Sequence, residues 1–272
     1  AGIEDKSVNM DRLSKTWSSA ESVARWAEYK GILAEFRIAQ AEVEAIANSS
    51  DEQPATRMLV TEAAPRASVM VAAITRMIDL EGSVTMNIGN MESRRNLLGI
   101  MADVRGTLGL GLASIRAYLL TGDDKFKASF DTLWAKNERR FGDLQAREHL
   151  FNDGQAKAFK EFSATRGEFA PLPAQMFEIR GSEKWNMANY TLITQAAPRA
   201  NILMAALKGE MDADGVRQGG MVDAQAKLLD DDAVDAMSHI DTLVLIEWVL
   251  LGVGLVLALL ISMVTGRAIV GP

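Results

Sequence analysis

The chain has 272 residues, of which 48% are apolar and 24% charged, with a formal net charge of −7 and no cysteine. This length and apolar content allow one large or two ordinary helical modules with cores of their own, and they exclude a disordered chain. The missing cysteines exclude disulfides, thiolate metal sites and a cysteine nucleophile, and the negative charge argues against nucleic acid or an anionic lipid surface as a partner. Abundant helix-forming residues and only six prolines predict an all-α fold.

The first predicted helix has a regular seam of small and apolar residues. They recur at alternating steps of three and four from Met10 to Ala45. This spacing is typical of the face with which one helix packs against another. We therefore expect a single helix from Lys6 to Ala47, about 60 Å long at about 1.5 Å per residue.

Two further helices are predicted on either side of a turn at residues 121–124. A second seam runs from Leu97 to Tyr118 and ends in Thr-Gly-Asp-Asp, where Gly122 fits a helix C-terminus and Asp123 fits the cap of the next helix. The chain has more turn signals than the three that a single four-helix bundle needs. Their number indicates two helical modules that share one or two long helices.

Residues 243–264 are predicted to cross a membrane, because they include one charge, Glu247, in 22 positions. Trp248 near the start of this segment and Arg267 after its end suit the two membrane interfaces. A buried core helix is the alternative, but such helices rarely stay apolar over this length. We expect residues 1–242 to lie outside the cytoplasm and the C-terminus to lie inside it. The first three residues, Ala-Gly-Ile, predict that an earlier span or signal peptide has been removed.

An internal repeat relates the two halves of the chain. Residues 61–67 recur at residues 194–200 with six of seven identical, and further matches at the same offset of 133 extend the similarity in both directions. We therefore predict two related modules within residues 1–242, with copies at about 24–86 and 157–219. The expected architecture is two stacked antiparallel helical-bundle modules that share long helices, followed by the transmembrane helix.

The repeated segment Thr-x-Ala-Ala-Pro-Arg-Ala is the candidate ligand-binding element. A proline near the first turn of a helix lacks an amide hydrogen, so Thr61 and Thr194 should cap a helix or lie on a kink. Either outcome leaves unpaired backbone groups beside Arg66 or Arg199, whose planar guanidinium suits a carboxylate. We predict that each arginine borders a cavity, one per module, and that at least one binds an anionic ligand. The alternative is a kink that shapes the bundle while the arginine is solvated.

Upstream of the second copy, aromatic and amide side chains fall on one side of a helix, where they can line a pocket for a small molecule. An interface belt is the alternative. The first copy has Arg57 near the matching position. We therefore expect the second copy to bind an aromatic or larger ligand and the first a small carboxylate. The aromatic and amide residues of the second copy are Trp185, Asn186, Asn189 and Tyr190.

Residue types suited to catalysis or metal binding are scarce. The two histidines, His149 and His239, are 90 residues apart and have no acidic partner at ligand spacing. Residues 212–215 match the middle of a calcium loop, but the twelfth position of that loop is Met221 where a glutamate is needed. We predict no catalytic residue, no metal and no cofactor, and therefore a protein that is not an enzyme.

The chain resembles a methyl-accepting chemotaxis protein, a bacterial chemoreceptor, that is cut at the start of its HAMP linker. The ending at residues 266–272 has the pattern Arg-x-Ile-x-x-Pro, which resembles the opening of a HAMP domain and makes residues 265–272 the start of that linker. Residues 105–123 are similar to a helix and turn of receptor ectodomains. The size and the repeat are similar to helical bimodular sensor domains.

The resemblance implies a homodimer in the bacterial inner membrane, with its sensor region in the periplasm. It also implies a small ligand such as an organic acid, and signalling by a small shift of the last helix. A periplasmic binding protein is a further partner that it allows, whereas nucleic acid is not expected. The ectodomain of a sensor histidine kinase, and a ligand-free helical scaffold or partner-binding ectodomain, remain alternatives because these residues do not separate them.

Overall fold

The structure is a computed structural model that describes residues 2–17, 19–85 and 88–270. The regular elements are helical apart from one short hairpin, which confirms the predicted all-α class. Met86, Gly271 and Pro272, which belong to the predicted first copy and HAMP linker, lie outside the described residues. In chain order the α-helices are α1 (Gly2–Ser14), α2 (Ala20–Ala47), α3 (Pro54–Met58), α4 (Ala64–Gly82), α5 (Met91–Thr121), α6 (Asp124–Gln145), α7 (Asp153–Phe169), α8 (Leu172–Gly181), α9 (Met187–Thr191), α10 (Ala197–Lys208) and α11 (Met221–Val270).

The prediction of one helix from Lys6 to Ala47 is wrong. The first helix ends at Ser14, whose hydroxyl donates to the carbonyl of Asp11 at 3.0 Å. The next helix begins at Ala20, and the hydroxyl of Ser19 accepts a hydrogen bond from the amide of Ser22 at 3.2 Å. Serine side chains that bond nearby backbone groups compete with the helix in this way, and the apolar seam gave no sign of the break.

The predicted turn between the second and third helices is confirmed. Helix α5 ends at Thr121, and Gly122 adopts a left-handed conformation with a φ of 72°. The carboxylate of Asp123 then accepts a hydrogen bond from the amide of Lys125 at 3.0 Å and caps α6. Glycine at the C-terminus and aspartate at the cap therefore have the roles that their residue types favour.

The chain divides into two compact units, and each contains parts of both copies of the repeat. Residues 38–196 form one of them, which we call the continuous unit. In it α4 packs against α5 and α7, and α5 packs against α6, around a core rich in methionine and phenylalanine. The largest fully buried side chains of this core include Met70, Ile74, Met77, Leu97, Met101, Ile115, Phe162, Phe169 and Met176.

The second compact unit, which we call the split unit, consists of residues 1–37 and 197–272. It holds α1, most of α2, α10 and α11. A hairpin of two strands, β1 (Gly209–Met211) and β2 (Arg217–Gly219), joins the last two helices and was not predicted. Its loop is closed by the carboxylate of Asp212, which accepts hydrogen bonds from the amides of Asp214 and Val216.

Helix α11 runs without interruption for 50 residues, from Met221 to Val270. Among the described residues, three helical segments are long and apolar enough to cross a membrane: Pro54–Gly82, Met91–Thr121 and Met221–Thr265. The apolar windows of the first two are 33% and 50% buried inside the protein, whereas that of the third is 0% buried. Only the third therefore presents its apolar surface entirely to the surroundings.

Candidate ligand-binding site

Both copies of the repeat form the same irregular turn inside a helix. A five-residue π-helix lies at Leu59–Ala63 in the first copy and at Leu192–Ala196 in the second, and an α-helix precedes and follows each. Pro65 and Pro198 come two residues later and lack the amide hydrogen that a regular turn would use. Of the two predicted outcomes, the structure therefore has the turn within a helix and not the helix cap. Such π-turns are frequent at functional sites.

The threonines of the repeat turn back onto their own helices. The hydroxyl of Thr61 donates to the carbonyl of Arg57 at 2.9 Å, and the hydroxyl of Thr194 donates to the carbonyl of Tyr190 at 2.7 Å. Both side chains are exposed. The hydroxyls thus satisfy backbone carbonyls at the start of the π-turn, and their donor capacity is already used.

The arginines of the repeat form ion pairs with glutamates on other helices. The Nε of Arg66 donates to Glu168 at 3.1 Å, and one of its terminal nitrogens donates to the carbonyl of Glu62 at 3.0 Å. The Nε of Arg199 donates to Glu35 at 3.4 Å. Each arginine side chain is about one third exposed. Each guanidinium therefore has one ion pair within the protein and remains partly exposed to solvent.

These two ion pairs are reciprocal between the copies. Glu35 and Glu168 are related by the same offset of 133 residues as Arg66 and Arg199. The arginine of the first copy pairs with the glutamate of the second, and the arginine of the second pairs with the glutamate of the first. The repeat therefore builds two equivalent contacts, one within each compact unit. The glutamate matches in the sequence were the signal from which this exchange could have been predicted.

A cleft of about 540 Å³ lies in the continuous unit along α4 and α5. Most of its lining is small, and Arg116 at its edge is the one charged residue among the lining residues. The residues that line it are Ala64, Ala67, Ser68, Val71, Ala72, Thr75, Leu108, Gly109, Leu112 and Arg116.

A second cavity, of about 530 Å³, lies in the split unit along α1, α2 and α10. Its walls are aromatic and aliphatic, with Lys6 as the one charged residue among the lining residues. We call it the aromatic cavity. It is lined by Lys6, Ser7, Met10, Trp26, Tyr29, Leu33, Phe36, Ala200, Leu203, Met204, Leu207 and Val222.

The repeated helices line both cavities, although the repeated arginines do not. Val71 and Met204 occupy equivalent positions in the two copies, and each faces the cavity of its own unit. Arg66 and Arg199 lie one turn earlier on the same helices, and neither is among the lining residues. A ligand role for these arginines remains a prediction, for a ligand that shares each guanidinium with a glutamate or displaces that glutamate.

The aromatic and amide residues predicted beside the second copy lie close together on the continuous unit. The guanidinium of Arg180 lies over the ring of Trp185 at 4.3 Å, and the ammonium of Lys184 lies over the ring of Tyr190 at 5.5 Å. The backbone amide of Asn189 donates to the side-chain oxygen of Asn186 at 2.8 Å, and Asn186 thereby caps α9. These residues are absent from the lining of both cavities, and Arg57 pairs with Asp51 on the surface.

A buried charged cluster near the end of α4 was not predicted. Glu81 has 0% of its side chain exposed, and its carboxylate lies 2.8 Å from the Nε of Arg94, in ionic contact without hydrogen-bond alignment. Gln155 donates to the second oxygen of Glu81 at 2.8 Å, and Arg94 also donates to the carbonyl of Leu150. In the sequence, Glu81 follows the buried Met77 by four residues and therefore lies on the core face of α4. This position was the signal from which its burial could have been predicted.

A second buried cation lies between α6 and α7. The guanidinium of Arg166 sits 4.6 Å from the ring of Trp134 and 4.5 Å from that of Phe141. Burial lowers the pKa of Arg166, against the nearby charge and hydrogen bond of Glu138, which raise it. Its Nε also faces the side-chain oxygen of Asn137 at 3.4 Å. This cluster fixes the packing of the helices and encloses no cavity of those described above.

Within the described part of the chain, no group of three or more acidic or histidine side chains is arranged to hold a metal ion. The carboxylate of Asp212, in the sequence that resembles a calcium loop, accepts hydrogen bonds from backbone amides of its own turn.

No family model, no curated protein and no solved structure matches the chain.

Proposed function

We propose that this chain is the ligand-sensing region and membrane helix of a bacterial transmembrane chemoreceptor. Residues 1–242 lie in the periplasm, residues 243–264 cross the inner membrane, and residues 265–272 begin a HAMP linker. The observation that supports this most is the uninterrupted course of α11 from first turns that contact the rest of the split unit into a fully exposed apolar section. Any displacement of its first turns therefore passes along one rigid helix into the membrane.

The first turns of α11 are held by other elements of the split unit. Met221 is buried, and the side chain of Gln225 donates to the hydroxyl of Ser22 on α2 at 3.0 Å. The amide of Gly219 in the hairpin donates to Asp223 at 2.8 Å. A change in packing near the aromatic cavity would reach α11 directly, because Val222 also lines that cavity.

The proposal includes two stacked helical modules, a homodimer, and a small organic acid as ligand, without catalysis. Ligand binding between helices favours one packing of the bundle, and α11 transmits the shift. A periplasmic binding protein is a second class of partner for the same region. The ectodomain of a sensor histidine kinase would have the same input side, with a different cytoplasmic output.

A ligand-free scaffold is the second candidate function, and one observation favours it. Arg66 and Arg199, the cations best placed by sequence for an anionic ligand, already pair with Glu168 and Glu35. A scaffold would use these pairs only to fix its helices. The reciprocal pairs are also compatible with a sensor, in which a ligand competes with the glutamates or binds in a neighbouring cavity.

Thermal unfolding of the whole chain against organic, amino and aromatic acids separates the two functions. A sensor should be stabilised by its ligand, by about 2.7 kcal/mol at about 100 times the dissociation constant. The expected result is a higher unfolding temperature with at least one acid. If no compound in the panel raises it, the scaffold replaces the sensor.

A further inference from the structure

The aromatic cavity of the split unit lies where the continuous unit has a filled core. Four side chains of α2 line the cavity, where Tyr29 and Phe36 are only half-buried, whereas the equivalents of all four, 133 residues later on α7, are buried. The equivalent pairs are Trp26 and Phe159, Tyr29 and Phe162, Leu33 and Arg166, and Phe36 and Phe169.

The same relation holds for the helices that face α2 and α7. On α4, Met70 and Ile74 are buried in the core of the continuous unit and do not line its cleft. On α10, the equivalent residues Leu203 and Leu207 line the aromatic cavity. Two helix faces that are filled in one unit therefore border empty space in the other.

Aromatic rings of α6 fill this place in the continuous unit. The ring of Trp134 lies 5.6 Å from that of Phe169, and the ring of Phe141 lies 5.6 Å from Phe159 and 5.9 Å from Phe162. In the split unit, α1 lines this place with Lys6, Ser7 and Met10 and supplies no aromatic ring. The space opposite Trp26 and Phe36 therefore has apolar surroundings of the kind that aromatic rings occupy in the continuous unit.

The polar groups of the cavity wall include an indole, a phenol and an ammonium. The indole nitrogen of Trp26 donates to Asp11 at 2.9 Å, and Lys30 neutralises that carboxylate at 2.8 Å. Lys6 lines the cavity, and among the described residues its ammonium has no ion pair. Burial raises the pKa of Tyr29, more than the charge of Arg37 lowers it, so its hydroxyl is a protonated donor at neutral pH.

We propose that the aromatic cavity is the ligand site and that it binds a monocarboxylic acid with an aryl-sized apolar body. This inference rests on the proposed sensory function and names its ligand class. The ring of the acid takes the place that Trp134 and Phe141 fill in the continuous unit, and its carboxylate pairs with Lys6. A volume of about 530 Å³ is in the range of pockets for small molecules.

The test uses the whole chain in lipid nanodiscs, titrated calorimetrically with 3-phenylpropionate, 3-phenylpropanamide and succinate. The carboxylate with an apolar body should bind. The neutral amide should bind about tenfold more weakly or worse, because it loses a charge-assisted bond. Succinate should bind more weakly still, because its second carboxylate would be buried among rings. Equal affinity for the acid and the amide would overturn the carboxylate class.

A matched pair of variants locates the site. Met204→Trp places a large ring in the aromatic cavity, while Val71→Trp places the same ring at the equivalent position of the other copy, in the cleft along α4 and α5. We expect Met204→Trp to abolish binding of 3-phenylpropionate and Val71→Trp to leave it unchanged. The reverse result would overturn the assignment and move the site to the cleft, while the sensory function would stand.

Replacing the lysine tests the anchor of the carboxylate. Lys6→Met should weaken binding of 3-phenylpropionate about tenfold or more, and the surface variant Lys127→Met should not. An unchanged affinity in Lys6→Met would overturn the role of this cation.

If 3-phenylpropionate does not bind while another acid stabilises the chain, the ligand class is wrong and the sensory function is retained. If Met204→Trp instead changes the oligomeric state, a second copy of the chain occupies the cavity and the proposal is overturned.

Discussion

The two units use duplicated helices in opposite ways. In the continuous unit, α4 and α7 are covered by α5 and α6, and the apolar faces form a filled core with a buried ion pair at one end. In the split unit, the equivalent faces of α10 and α2 leave a cavity. Duplication therefore preserved the helix motif and its reciprocal ion pairs but not the packing around it. Stability should depend most on the continuous unit, and ligand recognition on the split unit.

The largest expected effect comes from breaking the buried pair of the continuous unit. Glu81→Leu leaves the cation of Arg94 buried without a counter-ion and should reduce the free energy of unfolding by about 3 to 5 kcal/mol. Urea unfolding followed by circular dichroism measures this loss. The double variant with Arg94→Met should recover part of it, and a loss of less than about 1 kcal/mol in Glu81→Leu would show that the pair is solvated.

Equivalent core truncations should differ between the units. Met70→Ala removes a side chain that is 0% exposed in the filled core and should cost about 2 to 5 kcal/mol. Leu203→Ala, at the equivalent position, enlarges a cavity that already exists and should cost less, about 2 kcal/mol from lost apolar burial alone. The same urea titrations compare them. Equal losses would mean that the split unit is packed as tightly as the other.

Acid should loosen the split unit through Asp11. Hydrogen bonds from Lys30 and then Trp26 lower the pKa of Asp11 in the folded state. Its contribution to stability is therefore present above the ordinary aspartate pKa of 3.8 and is lost as the pH falls through the lower folded value. Tryptophan fluorescence should change in that range, and Asp11→Asn should remove the change. The same acid transition in Trp26→Phe would assign the signal to another tryptophan.

The smallest effect on stability is expected from the reciprocal ion pairs. Arg66→Ala and Arg199→Ala should each change the free energy of unfolding by about 0 to 1 kcal/mol, since both pairs are substantially exposed.

Calorimetry on the same variants tests the prediction from sequence that one arginine binds an anionic ligand. In that case affinity should fall about tenfold or more, and lysine should restore only part of it. Unchanged affinity in both variants would remove the arginines from the site.

The sequence predicted the features that depend on local pattern. Gly122 and Asp123 end one helix and cap the next, the apolar run after Leu243 lies in an exposed helix, and the repeated segment forms an irregular turn within a helix, one of its two predicted outcomes. These features follow from residue type and spacing over a few turns. A reader of the sequence alone could therefore place them without knowing the packing of the chain.

The features that were missed depend on contacts between distant residues. The seam from Met10 to Ala45 continued through a break that serine side chains determine. The partners of Arg66 and Arg199 lie 102 and 164 residues away, so their pairing could be inferred only from the matching glutamates. The aromatic cavity was also missed, because it depends on which helices cover α2 and α10 and not on a local motif.

The central claim is that α11 crosses the membrane with the helical units outside the cytoplasm. The chain has no cysteine, so single cysteines at Ser238 and Thr265 report the two ends of the apolar segment without background. A membrane-impermeant maleimide added to intact spheroplasts should label Ser238→Cys at once, and Thr265→Cys only after permeabilisation. Labelling of Thr265→Cys in intact spheroplasts, or of both positions, would contradict the sensory receptor proposed for this chain.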